Sequence, residues 1–265
     1  MRESLEFYNQ FEGRLIKDYV LGNKRVIGAI KNLGQFIPKN SQKILDIGCG
    51  IGWSSYEFAK SFPNSQVNAI DLSPVLIETA SKLFDDKKNL IFKTYDLTDG
   101  LPKDTYDVIV MIDVYEHIPL SERFEFHKSI KKNLNNRGRL VLACPSKYHQ
   151  AYIKEHNPSG IQPIDEDVDF ETINQIAKDI DGEVILFEYQ NIWRNYDYLY
   201  AVIEINPEYG SSDKMIKYSP LILESKKERE LRVESKLGIK LEQEKKTNKT
   251  STRELILKYI KKKKG

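Results

Sequence analysis

The stretch Ile44-Leu45-Asp46-Ile47-Gly48-Cys49-Gly50-Ile51-Gly52-Trp53 constrains this chain more than any other. A short apolar, partly β-branched run enters a cluster of three glycines, and helix-forming sequence follows. Glycine admits torsions that other residues avoid and lets a ligand come close to the main chain. The first turn of the helix behind it presents N–H groups that have no partner inside the helix. Strand, glycine loop and helix in that order form the opening unit of an α/β sheet, with a ligand beyond the carboxyl end of the strand.

The surrounding pattern agrees. Lys43–Asp46, Gln66–Ile70, Asn89–Thr94, Tyr106–Ile112 and Arg139–Ala143 read as strands. Between them Gly52–Ser61, Pro74–Phe84 and Leu120–Leu134 read as helices. The Pro74 helix has Ser73 as N-cap and proline at its first position. Tyr106–Ile112 is almost wholly apolar, as a strand buried on both faces must be. Such alternation predicts a parallel sheet with helices on both sides. The first 40 residues read as helix, with Leu5, Tyr8, Phe11, Leu15, Ile16, Tyr19 and Val20 at helical spacing. Gly22 and Asn23 interrupt, and a second helix runs from Lys24 to Phe36 before Pro38. Pro145–Asp169 reads as a long polar loop holding one helical turn, a length usually kept for function. After a helix at Phe170–Lys178, Glu183–Tyr189 and Tyr198–Ile205 read as an antiparallel hairpin at the sheet edge.

The formal net charge of +2 over 265 residues conceals a split. Residues 221–265 carry 15 Lys and Arg against 7 Asp and Glu, which leaves 26 against 32 in the first 220. An acidic body argues against a broad nucleic-acid-binding face. The tail is rich in Lys, Glu, Ser and Thr, with amphipathic patches at Leu231–Leu241 and Leu255–Ile260 and a run of lysines at Lys261–Lys264. Cys49 and Cys144 are too few for a disulfide framework and read as buried thiols in a reducing cytoplasm. The N-terminus is polar, without the apolar core of a signal peptide, and no apolar run approaches the roughly 20 residues of a membrane span. Four histidines without metal-ligand spacing give no metal signal.

The glycine spacing narrows the ligand. A dinucleotide fingerprint has glycines at relative positions 1, 3 and 6. Counting from Gly48, the sixth position is Trp53, and the third glycine arrives early at Gly52. Asp46 lies two residues before the first glycine, where a carboxylate would repel a pyrophosphate and attract an ammonium or sulfonium group. Asp71 ends the second strand, where an acid suits two ribose hydroxyls. A nucleoside with a cationic, amino-acid-like arm and no phosphate meets these demands, and S-adenosylmethionine is such a molecule. Local alternatives stand beside each acid. Asp46 can cap the loop, Asp71 can cap the Pro74 helix, and Asp96 can serve the turn chemistry of Asp99-Gly100.

Leu45-Asp46-Ile47-Gly48-Cys49-Gly50-Ile51-Gly52 resembles the glycine-rich motif of class I S-adenosylmethionine-dependent methyltransferases. Asp71, Tyr95-Asp96-Leu97, Asp107-Val108-Ile109-Val110 and Gly138-Arg139-Leu140-Val141-Leu142 follow in the order of that family's later elements, so the resemblance covers about residues 40–205. It implies a Rossmann-like α/β fold: a seven-stranded, mostly parallel sheet, helices on both faces, an antiparallel last strand and a helical N-terminal lid. The expected layout is lid 1–40, methyltransferase domain 41–207 and a charged, partly helical extension 208–265. The implied cofactor is S-adenosylmethionine, with S-adenosylhomocysteine as product. Its implied contacts are Asp46, Gly48, Cys49, Gly50, Gly52, Trp53, Asp71, Leu72, Asp96, Leu97, Ile112 and Asp113. Tyr8 and Phe11 from the lid would cover it and Arg14 would meet its carboxylate, unless those aromatics only pack the core.

Ile112-Asp113-Val114-Tyr115-Glu116-His117-Ile118-Pro119 follows the fourth strand and so lies beside the methyl group. Its Glu-His-Ile run is similar to one in small-molecule methyltransferases, including quinone-biosynthesis and alkaloid N-methyl enzymes. A hydroxyl or protonated amine acceptor must lose a proton, which casts His117 as general base and Glu116 as its orienting partner or a turn cap. His117 packing on the cofactor, or bonding to the backbone, is the alternative. His149 is the third catalytic candidate, with Tyr148, Gln150, Glu155 and His156 near it and the acids of Pro163–Asp167 beyond. Tyr189–Tyr196 lines either an acceptor pocket or a subunit interface. The expected function is methyl transfer to oxygen or nitrogen of a small-molecule acceptor, by a monomer or homodimer. The Pro145–Asp169 insertion resembles methyltransferases of polysaccharide biosynthesis, which suggests a sugar or phosphorus-containing substituent. The alternatives are an RNA or protein methyltransferase using the basic tail, or a non-catalytic S-adenosylmethionine-binding protein. The absence of an Asn-Pro-Pro-Tyr-type run after the fourth strand argues against methylation of base amino groups.

Overall fold

A computed structural model describes residues 2–158, 161–208, 210 and 218–241. Seven strands form one sheet: β1 (Lys43–Ile47), β2 (Gln66–Asp71), β3 (Leu90–Thr94), β4 (Tyr106–Ile112), β5 (Leu134–Pro145), β6 (Gly182–Gln190) and β7 (Tyr198–Ile205). Their order is β3-β2-β1-β4-β5-β7-β6. The first five pair in parallel, and β7 enters antiparallel between β5 and β6. The expected edge hairpin is β6–β7.

Alternate residues of each central strand go to opposite faces. Val108, Val110, Val141 and Ala143 face one core, which α2 (Glu12–Leu21), α3 (Lys24–Leu33), α4 (Trp53–Ser61) and α5 (Pro74–Leu83) close through Val20, Ile30, Phe58 and Leu76. Ile109, Met111, Leu140 and Leu142 face the other, closed by α6 (Arg123–Asn133) and α8 (Phe170–Asp179) through Ile130 and Ile173. Tyr106–Ile112 is therefore apolar because both of its faces are covered. The N-terminal helices do more than cap a pocket, since Ile16, Tyr19, Ala29 and Leu33 belong to the first core.

Ser73 caps α5 as its sequence predicts, its hydroxyl accepting the Leu76 N–H. Three expectations need correction. The leading helical segment breaks after α1 (Arg2–Asn9), and α3 ends at Leu33 with a 3-10 turn at Gly34–Phe36. β5 starts at Leu134, five residues before Arg139. Pro145–Asp169 is not a loop with one turn, because it holds a ten-residue helix, α7 (Lys147–His156). Ser146 caps α7, and Gln150 on its inner face is buried against Asp165. That polar anchoring hides the helix from any reading of apolar periodicity.

The Leu231–Leu241 patch contributes to α9 (Lys226–Leu237), which opens with a capping box of Ser225 and Glu228. Leu255–Ile260 and Lys261–Lys264 lie outside the described residues. Both cysteines are free and buried. Among the described residues, no helix is long and apolar enough to cross a membrane, and no cluster of His, Cys, Asp and Glu could hold a metal.

Candidate active site

The carboxyl ends of β1, β2, β3 and β4 open into one cavity of about 1180 Å³. Ligand pockets commonly measure roughly 300–1,000 Å³, so this one has room for a nucleoside and a second small molecule. The glycine loop forms its floor. Gly48 has φ +66°, and a side chain there would meet the Val114 methyl at 2.4 Å. Gly52 has φ +83° and starts α4 against the Phe92 ring, where a Cβ would lie at 2.5 Å. Gly48, Cys49, Gly50 and Trp53 line the cavity; Gly52 sits behind it as a packing position.

Two acids hold the loop. Asp71 accepts the Gly50 N–H at 2.8 Å and the Ser73 N–H at 2.9 Å, and it lines the cavity with Leu72. Burial raises its carboxyl above the usual range. Asp46 does not reach the cavity. It lies beneath the loop, accepting the Ser54 and Ser55 hydroxyls at 2.6 Å each. Burial pushes its carboxyl up to about 6 against the pull of those two bonds. Its geometry is that of a loop brace, turned away from the cavity rather than toward a cationic arm within it.

At the end of β3, Tyr95, Asp96 and Leu97 line the wall, and Asp96 also accepts the Thr98 N–H of the turn behind it. Ile112 and Asp113 follow β4. Asp113 adopts φ +58°, accepts the Tyr198 hydroxyl at 2.5 Å and pairs with Arg25 at 3.0 Å. Tyr8, Phe11 and Arg14 form the opposite wall, and the Tyr8 ring lies 6.3 Å from that of His117. Burial, then Glu116, raises the Tyr8 hydroxyl.

Glu116 and His117 share a single 3-10 turn. His117 Nδ1 lies 2.6 Å from the Ile164 carbonyl. A carbonyl oxygen only accepts, so Nδ1 carries a hydrogen, and in the neutral ring Nε2 is then the acceptor. Nε2 lies 3.7 Å from Glu116 Oε1, and Asp165 lies 3.6 Å from Nδ1. Glu116 is 1% exposed, and its Oε2 has no partner among the described residues. Burial, then Asp113, pushes this carboxyl well above the ordinary carboxylate range. The Pro163–Asp167 loop completes the turn's setting, as Glu166 donates its N–H to the Glu116 carbonyl. Asp165 is fixed by Gln150 and the Gln162 N–H, while Asp167 faces outward to Lys154.

His149 lines the cavity from the first turn of α7, with its imidazole pushed below the usual range by burial. Tyr148 and His156, candidates by sequence, do not line it. Tyr148 points to Tyr189 and Tyr196, and exposed His156 stacks on Tyr152. The hairpin contributes Trp193 to the mouth.

Gln150, Asp165 and Trp193 line the cavity from segments that the sequence singles out, whereas Arg25 lines it without any such signal in the motifs. Its charge lies in the first turn of α3, where the helix dipole disfavours a cation. That misplacement was the readable signal that its partner, Asp113, comes from elsewhere.

Residues 45–140 match the family model described as a methyltransferase domain. Malonyl-(acyl-carrier protein) O-methyltransferase 1 of Ilyobacter polytropus is 39% identical over 71 residues, 27% of this chain and 26% of that protein. A second such enzyme of the same organism is 23% identical over 71% of this chain and 73% of its own. The chain spans only 26% to 47% of the length of the first four curated relatives it matches. Among solved structures, the complex of DhpI with SAH superposes with a TM-score of 0.59 at 14% identity, over 78% of this chain and 97% of that one. Magnesium protoporphyrin IX methyltransferase from Synechocystis PCC 6803, with bound SAH, gives 0.59 at 15% identity over 77% and 100%. Sheet order, glycine loop and these likenesses agree: residues 45–140 match a methyltransferase domain, and the chain shares its Rossmann-like fold with methyltransferases solved with SAH bound.

Proposed function

We propose that this chain is an S-adenosylmethionine-dependent methyltransferase acting on oxygen or nitrogen of a small-molecule acceptor, with His117 as general base. The observation that carries this is the bond from His117 Nδ1 to the Ile164 carbonyl, which leaves Nε2 as an acceptor inside the cavity. When bound, the cofactor supplies an electrophilic methyl on a sulfonium centre. Asp71 suits its ribose, and Trp53, Tyr8 and Arg14 stand around the remaining space. With the methyl supplied in this way, the new bond to the acceptor matching the S–CH3 bond given up, His117 Nε2 would take the acceptor's proton. Asp165, 3.6 Å from Nδ1, stabilises the imidazolium that results. Glu116, raised above the ordinary carboxylate range by burial, stands on the cavity wall beside His117 as its neighbour at the acceptor.

This base discriminates between acceptor classes. A malonyl carboxylate, named for the relatives, arrives without a proton and needs no base. A site equipped with His117 therefore favours a hydroxyl or ammonium acceptor. The polysaccharide role expected from the sequence has no counterpart in the relatives' names, whereas a phosphorus-containing acceptor has one in phosphoethanolamine N-methyltransferase of Triticum aestivum, 30% identical over 160 residues; a sugar hydroxyl is also compatible with the base. The test has two parts. Isothermal titration with S-adenosylmethionine and S-adenosylhomocysteine should show binding, and no binding of either ends the reading. Transfer of labelled methyl should then reach hydroxyl or amine acceptors and spare carboxylates; transfer to malonyl thioesters alone would overturn the role given to His117.

A further inference from the structure

Behind the cofactor side of the cavity, residues 221–237 lie across the N-terminal helices. Arg229 of α9 is 5% exposed. Its Nε donates to the Tyr19 carbonyl at 2.6 Å, and its Nη1 donates to the Glu224 carbonyl. Its guanidinium lies over the Trp53 ring at 5.3 Å, and Nη2 fills the space beside Gly22, the φ +88° joint between α2 and α3. Glu224 accepts the Tyr19 hydroxyl at 2.7 Å and takes Arg232 at 2.9 Å, while its N–H donates to buried Glu57 at 2.7 Å. Arg232 continues to the Tyr56 hydroxyl at 2.6 Å. Leu221 donates its N–H to the Lys31 carbonyl of α3.

These contacts join two groups of residues. Tyr19, Gly22 and Lys31 belong to the lid helices, whose Asp18, Asn23 and Arg25 line the cavity. Trp53, Tyr56 and Glu57 belong to α4, whose first residue is the cavity-lining indole at the end of the glycine loop. The match to the methyltransferase-domain model ends at residue 140, well before α9.

We propose that the C-terminal helix is a strap that sets cofactor affinity, with Arg229 as its positioning residue. Arg229 touches no reacting atom. It fixes the α2–α3 joint and the Trp53 ring together, so the lid and the glycine-loop helix are ordered before the cofactor arrives. Ordering a wall in advance removes a cost that binding would otherwise bear. Four charged groups, Glu57, Glu224, Arg229 and Arg232, are withdrawn from water to make this joint, three of them under 9% exposed. They compensate one another only while α9 is seated.

This inference rests on the cofactor reading above. The chain has two tryptophans, so Trp193→Phe leaves Trp53 as the sole indole reporter. In that background Arg229→Gln should shift Trp53 emission and weaken S-adenosylhomocysteine binding about tenfold, near 1.4 kcal/mol. Arg229→Lys should restore part of both, because an ammonium can still reach the Tyr19 carbonyl. At saturating cofactor kcat should stay within about threefold, since no group at the methyl is altered. If Arg229→Gln fails to fold, Arg229→Lys is read alone and should show a smaller loss in the same direction. Unchanged affinity and emission in the folded variants would overturn the strap while leaving the methyltransferase reading intact. Failure of the unmodified chain to bind S-adenosylhomocysteine would overturn both.

Discussion

His117 is held by one nitrogen and works with the other. His117→Asn preserves a donor at the Nδ1 position for the Ile164 carbonyl and removes the base. Turnover of a hydroxyl acceptor should fall by roughly 10²–10⁴, while affinity for S-adenosylhomocysteine stays within about threefold. Undiminished kcat in that variant would remove the base role. Asp46 has the opposite character: it is structural, and its protonation is tied to folding. Its carboxyl stands at about 6 in the folded chain because burial outweighs the two serine bonds. The unfolded chain ionises first, so Asp46's contribution to stability is full below about pH 4 and drains away as pH rises through 6. The change amounts to about 3 kcal/mol at most. Asp46→Asn keeps an acceptor for the serines and has no such dependence. Urea unfolding of the two proteins at pH 4 and pH 7 should show the variant gaining on the wild type by about 2–3 kcal/mol between them. A gap that does not move with pH would show that the buried acid is already ionised or compensated at pH 4.

The β6–β7 connection is braced chiefly by Asp197, with Asn191 accepting the Tyr196 N–H and the Ser146 hydroxyl donating to the Tyr196 carbonyl. Asp197, 4% exposed, accepts the N–H groups of Ile192, Trp193 and Arg194 at 2.8, 2.9 and 3.1 Å. This fixes Trp193 at the cavity mouth, 5.9 Å from the Arg25 guanidinium. Asp197→Ala leaves these donors without their acceptor, which costs about 1–3 kcal/mol and loosens the loop. Acceptor KM should rise about tenfold with cofactor affinity unchanged, because the glycine loop lies on other strands. A matching loss of cofactor affinity would mean that the hairpin serves both ligands. The same scale shows what the sequence made legible. β4 was readable because both of its faces are covered and its residues have to be apolar. The glycine loop was readable because Gly48 and Gly52 occupy positions where a Cβ would strike Val114 or Phe92. α7 was hidden because its inner residue, Gln150, is polar and meets Asp165 from the same insertion. Asp46 was assigned to the ligand because spacing along a strand does not reveal which side of a loop a carboxylate takes.

In the molecule as a whole, the N-terminal helices are fastened to the sheet from two directions. Arg139 on β5, 2% exposed, donates Nε to Glu204 of β7 at 2.8 Å and Nη1 to the Phe36 carbonyl beyond α3 at 2.7 Å. Arg139→Met would strand the Glu204 charge and free the end of that segment. Urea unfolding should show a loss of about 3–5 kcal/mol, and adding Glu204→Leu should return part of it. A loss under about 1 kcal/mol would mean that water reaches the pair and already solvates it.

The second fastening, through α9, carries a consequence in time. Tyr19 and Arg229 are 210 positions apart in the chain yet share a hydrogen bond. A ribosome adding roughly 5–20 residues per second therefore delivers the clamp about 10–40 s after the helix it clamps. The glycine loop, Asp71 and the lid helices are all synthesised before the element that orders them against one another. On the strap proposal, full cofactor affinity thus arrives late, when the last described helix is made, and a chain interrupted before Arg229 would leave Tyr19, Glu57 and the Gly22 joint without that clamp.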